Sequence, residues 1–224
     1  MKTLIVTSLI AAAAASSQAA LIAQYTFAGA SPLATNVDAN VTANPFLVTN
    51  GAISGTTNAA YIPTSNTAST QNAALDGPSY FNMHVEAAPG YTLNLESIVF
   101  DYGSYANGAS FNYSVYLQSD PLGLGSGSSV IFTNSLASGS GTIMNTDQLV
   151  SLAGSEYQDI TAITLRWSYS DSINVSGSNV RLDNVRLNGT VTAIPEPSQA
   201  IAFLGLTSLV ALLYVRRRRS KREQ

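Results

Sequence analysis

Ser110 to Gln118, SFNYSVYLQ, puts Phe111, Tyr113, Val115 and Leu117 on one side of an extended chain and Asn112, Ser114, Tyr116 and Gln118 on the other. Side chains alternate across a β-strand, so this period of two marks a strand buried on one face. The same pattern recurs on both sides of it. Tyr80–Glu86 (YFNMHVE) alternates Phe81, Met83 and Val85 with Asn82, His84 and Glu86. Thr161–Tyr169 (TAITLRWSY) sets Ile163, Leu165 and Trp167 against Ala162, Thr164 and Arg166. Ile22–Phe27 reads as a first strand. Leu93–Tyr102 carries Leu93, Leu95, Ile98 and Phe100, with a slip or bulge near Ser97. In Val180–Val191 (VRLDNVRLNGTV), Leu182 is out of phase with Val185, Leu187 and Val191, which predicts a kink near Asn184.

One polar and one apolar face per strand is the pattern of antiparallel sheets solvated on one side. Gly, Asn, Ser and Asp separate the runs. The expectation is an all-β fold, an antiparallel β-sandwich of jelly-roll type, occupying residues 20–193. That length suffices for one buried core. No long amphipathic helix is read in the body; Gln148–Leu152 makes one turn at most. Thr35–Ala74 reads as long loops with one or two strands, and Gly123–Ser129 (GLGSGSS) as a flexible loop tip.

Charged residues are only 10% of the chain, against about 25% for an ordinary soluble domain. Between Ala20 and Ala193 three arginines face eleven carboxylates, leaving the body at −8. An acidic body without a basic patch excludes nucleic acid as a partner, because phosphates are met by Lys and Arg. The chain has no cysteine, which removes disulfides, thiolate catalysis and cysteine-ligated metals.

The two ends differ from the body. Residues 1–19 read as a secretory signal peptide: Lys2, an apolar run from Thr3 to Ala15, then Ser17-Gln18-Ala19 with small residues before the cleavage point. At the other end, Ile194 to Gln224 reads IPEPSQAIAFLGLTSLVALLYVRRRRSKREQ. Pro195 and Pro197 forbid helix and hold the backbone extended. Ala200–Val215 is sixteen residues without a charge; as a transmembrane helix it spans about 24 Å against a hydrocarbon core of about 30 Å. Arg216, Arg217, Arg218 and Arg219 open a basic tail, 216–222. They snorkel to the headgroups and hold this end cytoplasmic, with the body outside.

The stretch Pro195, Glu196, Pro197, Ser198, followed by one apolar helix and an arginine cluster at the chain end, resembles the PEP-CTERM sorting signal. The resemblance covers residues 194–224. It implies an exported protein of a Gram-negative, polysaccharide-producing bacterium. It further implies processing near the Pro-Glu-Pro motif by a membrane-embedded exosortase, and delivery from the inner membrane to the cell surface or extracellular matrix. It implies an address and no activity. The strand RLDNVRLNGTV, directly ahead of the signal, is similar to the closing strand of the lectin-like sandwiches in many such proteins.

Candidate chemistry in the body is sparse. His84 is the sole histidine and lacks a Gly-x-Ser-x-Gly partner, so it reads as a solvent-facing strand residue. Glu86, Glu96, Asp101, Asp159 and Asp171 offer carboxylate pairs of glycosidase type, but no spacing singles one out. A structural calcium ion is the cofactor candidate, with Asp101, Asp171 and Asp183 as oxygen donors. Tyr102, Tyr105 and Asn107 in DYGSYANGAS are candidates for stacking and hydrogen bonding to a sugar; against this, Tyr102 also reads as a strand-end residue packed at the sheet rim. The first reading is a non-enzymatic surface or matrix protein with a structural or adhesive role. The alternative is a carbohydrate-binding module for the matrix polysaccharide, and a surface glycan hydrolase comes third.

Overall fold

The computed structural model describes residues 20–195. The leader (1–19), Glu196, Pro197 and Ser198, the apolar run 200–215 and Arg216 to Arg219 lie outside the described residues. No helix among the described residues is long and apolar enough to cross a membrane.

In chain order the strands are β1 (Ala20–Tyr25), β2 (Asn36–Val37), β3 (Val41–Ala43), β4 (Leu47–Thr49), β5 (Ala52–Ser54) and β6 (Ala59–Pro63). A short helix α1 (Gln71–Asp76) follows. Then come β7 (Tyr80–Ala87), β8 (Tyr91–Ala106), β9 (Asn112–Ser119), β10 (Phe132–Ala137), β11 (Gly141–Ser151), β12 (Ala162–Asp171) and β13 (Asn179–Ala193). They form two antiparallel sheets. The larger runs β11-β8-β13-β1-β2, with β6 and then β5 continuing from the first part of β13. The smaller runs β10-β9-β12-β7-β3, with β4 beside β3 on β7. The architecture is the expected β-sandwich of jelly-roll type.

The apolar sides predicted from alternation meet between the sheets. Phe81, Met83, Val85, Leu165, Trp167, Tyr169, Leu182, Val185 and Leu187 are all buried there. Trp167 lies at the centre. Phe100 meets it edge-on at 5.5 Å, and Phe132 meets Phe100 edge-on at the same centroid distance. Aromatic pairs at this spacing add about 1 kcal/mol each beyond the area they bury.

Both predicted irregularities exist. Against β13, Ser97 pairs Asn188 but Leu95 pairs Gly189, so Glu96 is the extra residue of a bulge. Between Asp183 and Arg186, β13 carries two residues opposite one on β8, and Asn184 takes φ 48°. Asparagine tolerates that left-handed conformation better than most residues.

Three readings are corrected. Thr35–Ala74 holds five short strands, β2 to β6, and the start of α1 instead of one or two strands in loops. Strands of two to five residues are too short to show alternation. Gln148–Leu152 is no helical turn, since Gln148 to Ser151 end β11. The Gly123–Ser129 segment is no free tip: it is tied back over the outer face of the smaller sheet. Gln118 brackets Gly125, donating from Nε2 to its carbonyl at 2.7 Å and accepting its N–H at 3.0 Å, and Asp76 accepts the N–H of Ser126 at 2.8 Å. Helix α1, N-capped by Thr70, buries Ala74 and Leu75 against Tyr116 on that same outer face. The smaller sheet is thus partly covered on its outside.

Candidate functional site

Among the described residues, the outward face of the larger sheet carries no such cover at the end where β11, β8, β13 and β6 lie side by side. Register fixes which residues share that face. One row across it reads Met144, Gly103, Arg181, Tyr61. The next reads Thr142, Tyr105, Asn179, Pro63. Tyr61 and Tyr105 thus flank Arg181 from the strands on either side of β13, and all three are half-buried, with part of each side chain open to solvent.

Arg181 is held in place. Its Nε donates to Asn179 Oδ1 at 2.8 Å and Nη1 to Thr142 Oγ1 at 3.3 Å. Its guanidinium carbon lies 5.2 Å from the centre of the Tyr105 ring, a cation–π contact. Burial lowers its pKa, and the two tyrosines counter this; an arginine stays protonated regardless. Gly103 completes the row because nothing larger fits: a Cβ there would lie 2.0 Å from the Ile143 carbonyl oxygen and 2.6 Å from the Met144 sulfur.

Beside Tyr61 opens a hollow of about 340 Å³ lined by Pro63, Ser65, Asn174, Ser176 and Asn179 among others. Its lining is rich in hydroxyl and amide groups, and its Tyr61 wall joins it to the Arg181 row. Asn107 borders the loop that forms it: the Asn107 N–H donates to Ser178 Oγ at 2.9 Å, and its side-chain amide packs over Gly177.

Of the three residues expected to meet a sugar, Tyr105 lies on this face and Asn107 at its margin. Tyr102 does not. It is fully buried on the inner side of β8, and its hydroxyl accepts from Asn134 Nδ2 at 2.6 Å. Tyr102 and Tyr105 are three apart, an odd number, so a strand places them on opposite faces. Tyr61, Arg181 and Asn179 were missed. Their signal was the outward phase of AAYIP and of VRLDNVR, visible only once β6 is known to be a strand.

Further along the same face, the three aspartates named for calcium separate. Asp101 and Asp183 are a register pair of β8 and β13. Asp171 ends β12 in the other sheet, where Thr67 donates to it at 2.6 Å. No group of three His, Cys, Asp or Glu residues that could hold a metal ion occurs among the described residues. Asp101 instead accepts the Asp147 N–H and the Asn184 amide, both at 2.7 Å. Arg186 pairs with Asp147. Burial pushes the Asp183 carboxyl up to about 6, the Asn184 N–H opposes this, and the neighbouring Asp101 adds to the rise. His84, half-buried on the outer side of β7, meets Thr164 Oγ1 at 2.9 Å and Glu86 at 3.9 Å.

No family model and no curated relative matches the chain. Among solved structures the fold is similar to carbohydrate-binding modules. A family 27 module described by its specific mannan recognition shares 12% identity over 78% of this chain and 99% of its own, with a TM-score of 0.40. A mutant of a family 29 module shares 9% over 77% and 87%, with a TM-score of 0.36. A family 11 module from Clostridium thermocellum, solved with a β-1,3-1,4-mixed-linked tetrasaccharide, shares 14% over 79% and 100%, with a TM-score of 0.29.

Proposed function

We propose that this chain is a non-catalytic polysaccharide-binding protein of the cell surface or extracellular matrix, exported and then sorted by an exosortase-type system. The observation that carries the binding part is the open row in which Tyr61 and Tyr105 flank Arg181. Pyranose rings present C–H faces that stack on aromatic rings and hydroxyls that pair with fixed donors and acceptors. Tyrosine supplies the first, while Arg181, Asn179 and Thr142 supply the second. The rigid sheet holds all of them in register, so little ordering is needed on binding. The alternative weighed from the sequence, a carbohydrate-binding module, thus has more support than a purely structural role. Attachment to a matrix glycan would itself be adhesive.

The sorting part is supported by the sequence of 194–224 alone: the Pro-Glu-Pro strip, the apolar run and the arginines. An exosortase and the inner membrane are the partners this implies. No metal is needed for the binding proposed.

Affinity electrophoresis tests the binding part. In gels containing extracted matrix polysaccharide the protein is expected to be retarded. Tyr61→Ala and Tyr105→Ala should each weaken binding by about tenfold, the loss of one stacking contact at about 1.4 kcal/mol. Unretarded wild-type protein, or variants retarded as strongly as wild type, would overturn it.

A further inference from the structure

The body has three arginines, and each sits in a different electrostatic setting. Arg186 is ion-paired with Asp147. Arg166 donates to the Gly77 carbonyl at 2.8 Å, stacks on Tyr80 at 4.1 Å and feels the Asp76 carboxylate. Arg181 has only the two tyrosine rings, Asn179 and Thr142. Among the described residues no carboxylate lies within 4 Å of it, and its Nη2 has no acceptor. In a body with eleven carboxylates and three guanidiniums, a half-buried arginine without an acid is conspicuous. Its charge is partly desolvated and held in direction, with one nitrogen unused and open to solvent, beside two rings suited to a sugar.

We propose that Arg181 selects an acidic sugar: the polysaccharide bound between Tyr61 and Tyr105 carries an anionic substituent, a carboxylate or a sulfate, that docks on the free side of this guanidinium. This rests on the polysaccharide-binding reading and names its ligand class. A guanidinium pairs with planar oxyanions through charge-assisted hydrogen bonds, stronger than those to neutral hydroxyls. The net charge of the body opposes non-specific adsorption of a polyanion, so preference for one must arise locally.

Isothermal titration in detergent of the full chain with Arg216, Arg217, Arg218, Arg219, Lys221 and Arg222 all replaced by Gln, so that the basic tail does not itself hold a polyanion, tests this with four polymers: polygalacturonate, its carboxyl-reduced form, dextran sulfate and dextran. The expected result is that at least one acidic polymer binds about tenfold or more tightly than its neutral counterpart. That preference should shrink with added salt, vanish in Arg181→Gln and be kept only in part in Arg181→Lys, which retains the charge without the stacked planar fork, with both variants unfolding at the wild-type denaturant midpoint. The acidic polymer that binds identifies carboxylate or sulfate. Equal binding of acidic and neutral polymers, or a preference that persists in Arg181→Gln, overturns the acid selectivity while leaving the polysaccharide site standing. Binding to none of the four, where matrix polysaccharide still retards the protein through Tyr61 and Tyr105, does the same. Binding to nothing at all overturns both.

Discussion

Asp183 sits beside Asp101 on the outward side of β13, partly withdrawn from water, with its carboxyl raised to about 6. A raised pKa means that the folded chain holds this proton more tightly than the unfolded chain does. The stability it contributes is therefore full below the unfolded aspartate range near pH 4 and is lost as pH rises through about 6. Asp183→Asn removes the ionisation and leaves an oxygen for the Asn184 N–H. It should stabilise the protein at pH 7 by about 1 kcal/mol, the shift being discounted for the solvent that reaches the group. The gain should disappear below about pH 4. Denaturant midpoints of wild type and variant at both pH values check this; an equal gain at both would contradict the assigned cause. Single residues also show where sequence reading stops. Tyr105 was named as an aromatic near Asn107 in DYGSYANGAS, together with Tyr102, which the strand turns inward. Arg181 was passed over because an isolated arginine on a strand reads as a solvated charge, and only the cross-strand register reveals the rings on both sides of it.

Elements were legible in proportion to their length. The strands β7, β8, β9, β12 and β13 run eight to sixteen residues and show their alternation plainly, including the two bulges. Strands β2 to β5 have two or three residues each, shorter than one period of any test. β11 was hidden for another reason: it is an edge strand whose alternation is broken by its own bulge between Asn145 and Gln148. Helix α1 is six residues with two buried apolar side chains, and it forms because Thr70 caps it and Tyr116 offers a surface to bury against. β11 joins β8 through a close approach at Gly103. Gly103→Ala forces a methyl against the Ile143 carbonyl and should cost about 2 kcal/mol or more, since backbone cannot move aside as a side chain can. Urea denaturation measures it, and an unchanged midpoint would show that β11 is more loosely seated than described.

At the scale of the whole molecule, the described residues form one β-sandwich body. The body's class was legible because a sandwich needs little more than one-sided strands and turn residues between them. Which outer face stays open was not legible. That depended on α1 and the Gly123–Ser129 segment folding onto the smaller sheet, leaving one end of the larger sheet free. The proposed sorting route makes its own prediction. Mass spectrometry of the protein from the surface fraction of its native host should yield no peptide from beyond Ser198, and recovery of an intact tail there would contradict processing. The central claim concerns the open face. Hydrogen exchange of the protein with and without bound matrix polysaccharide examines it most directly. The account predicts slowed exchange in peptides covering Tyr61, Gly103 to Asn107 and Asn179 to Arg181, with Tyr80 to Glu86 and Ser114 to Gln118 unchanged. Slowing confined to those two segments of the smaller sheet, or none anywhere, would contradict it.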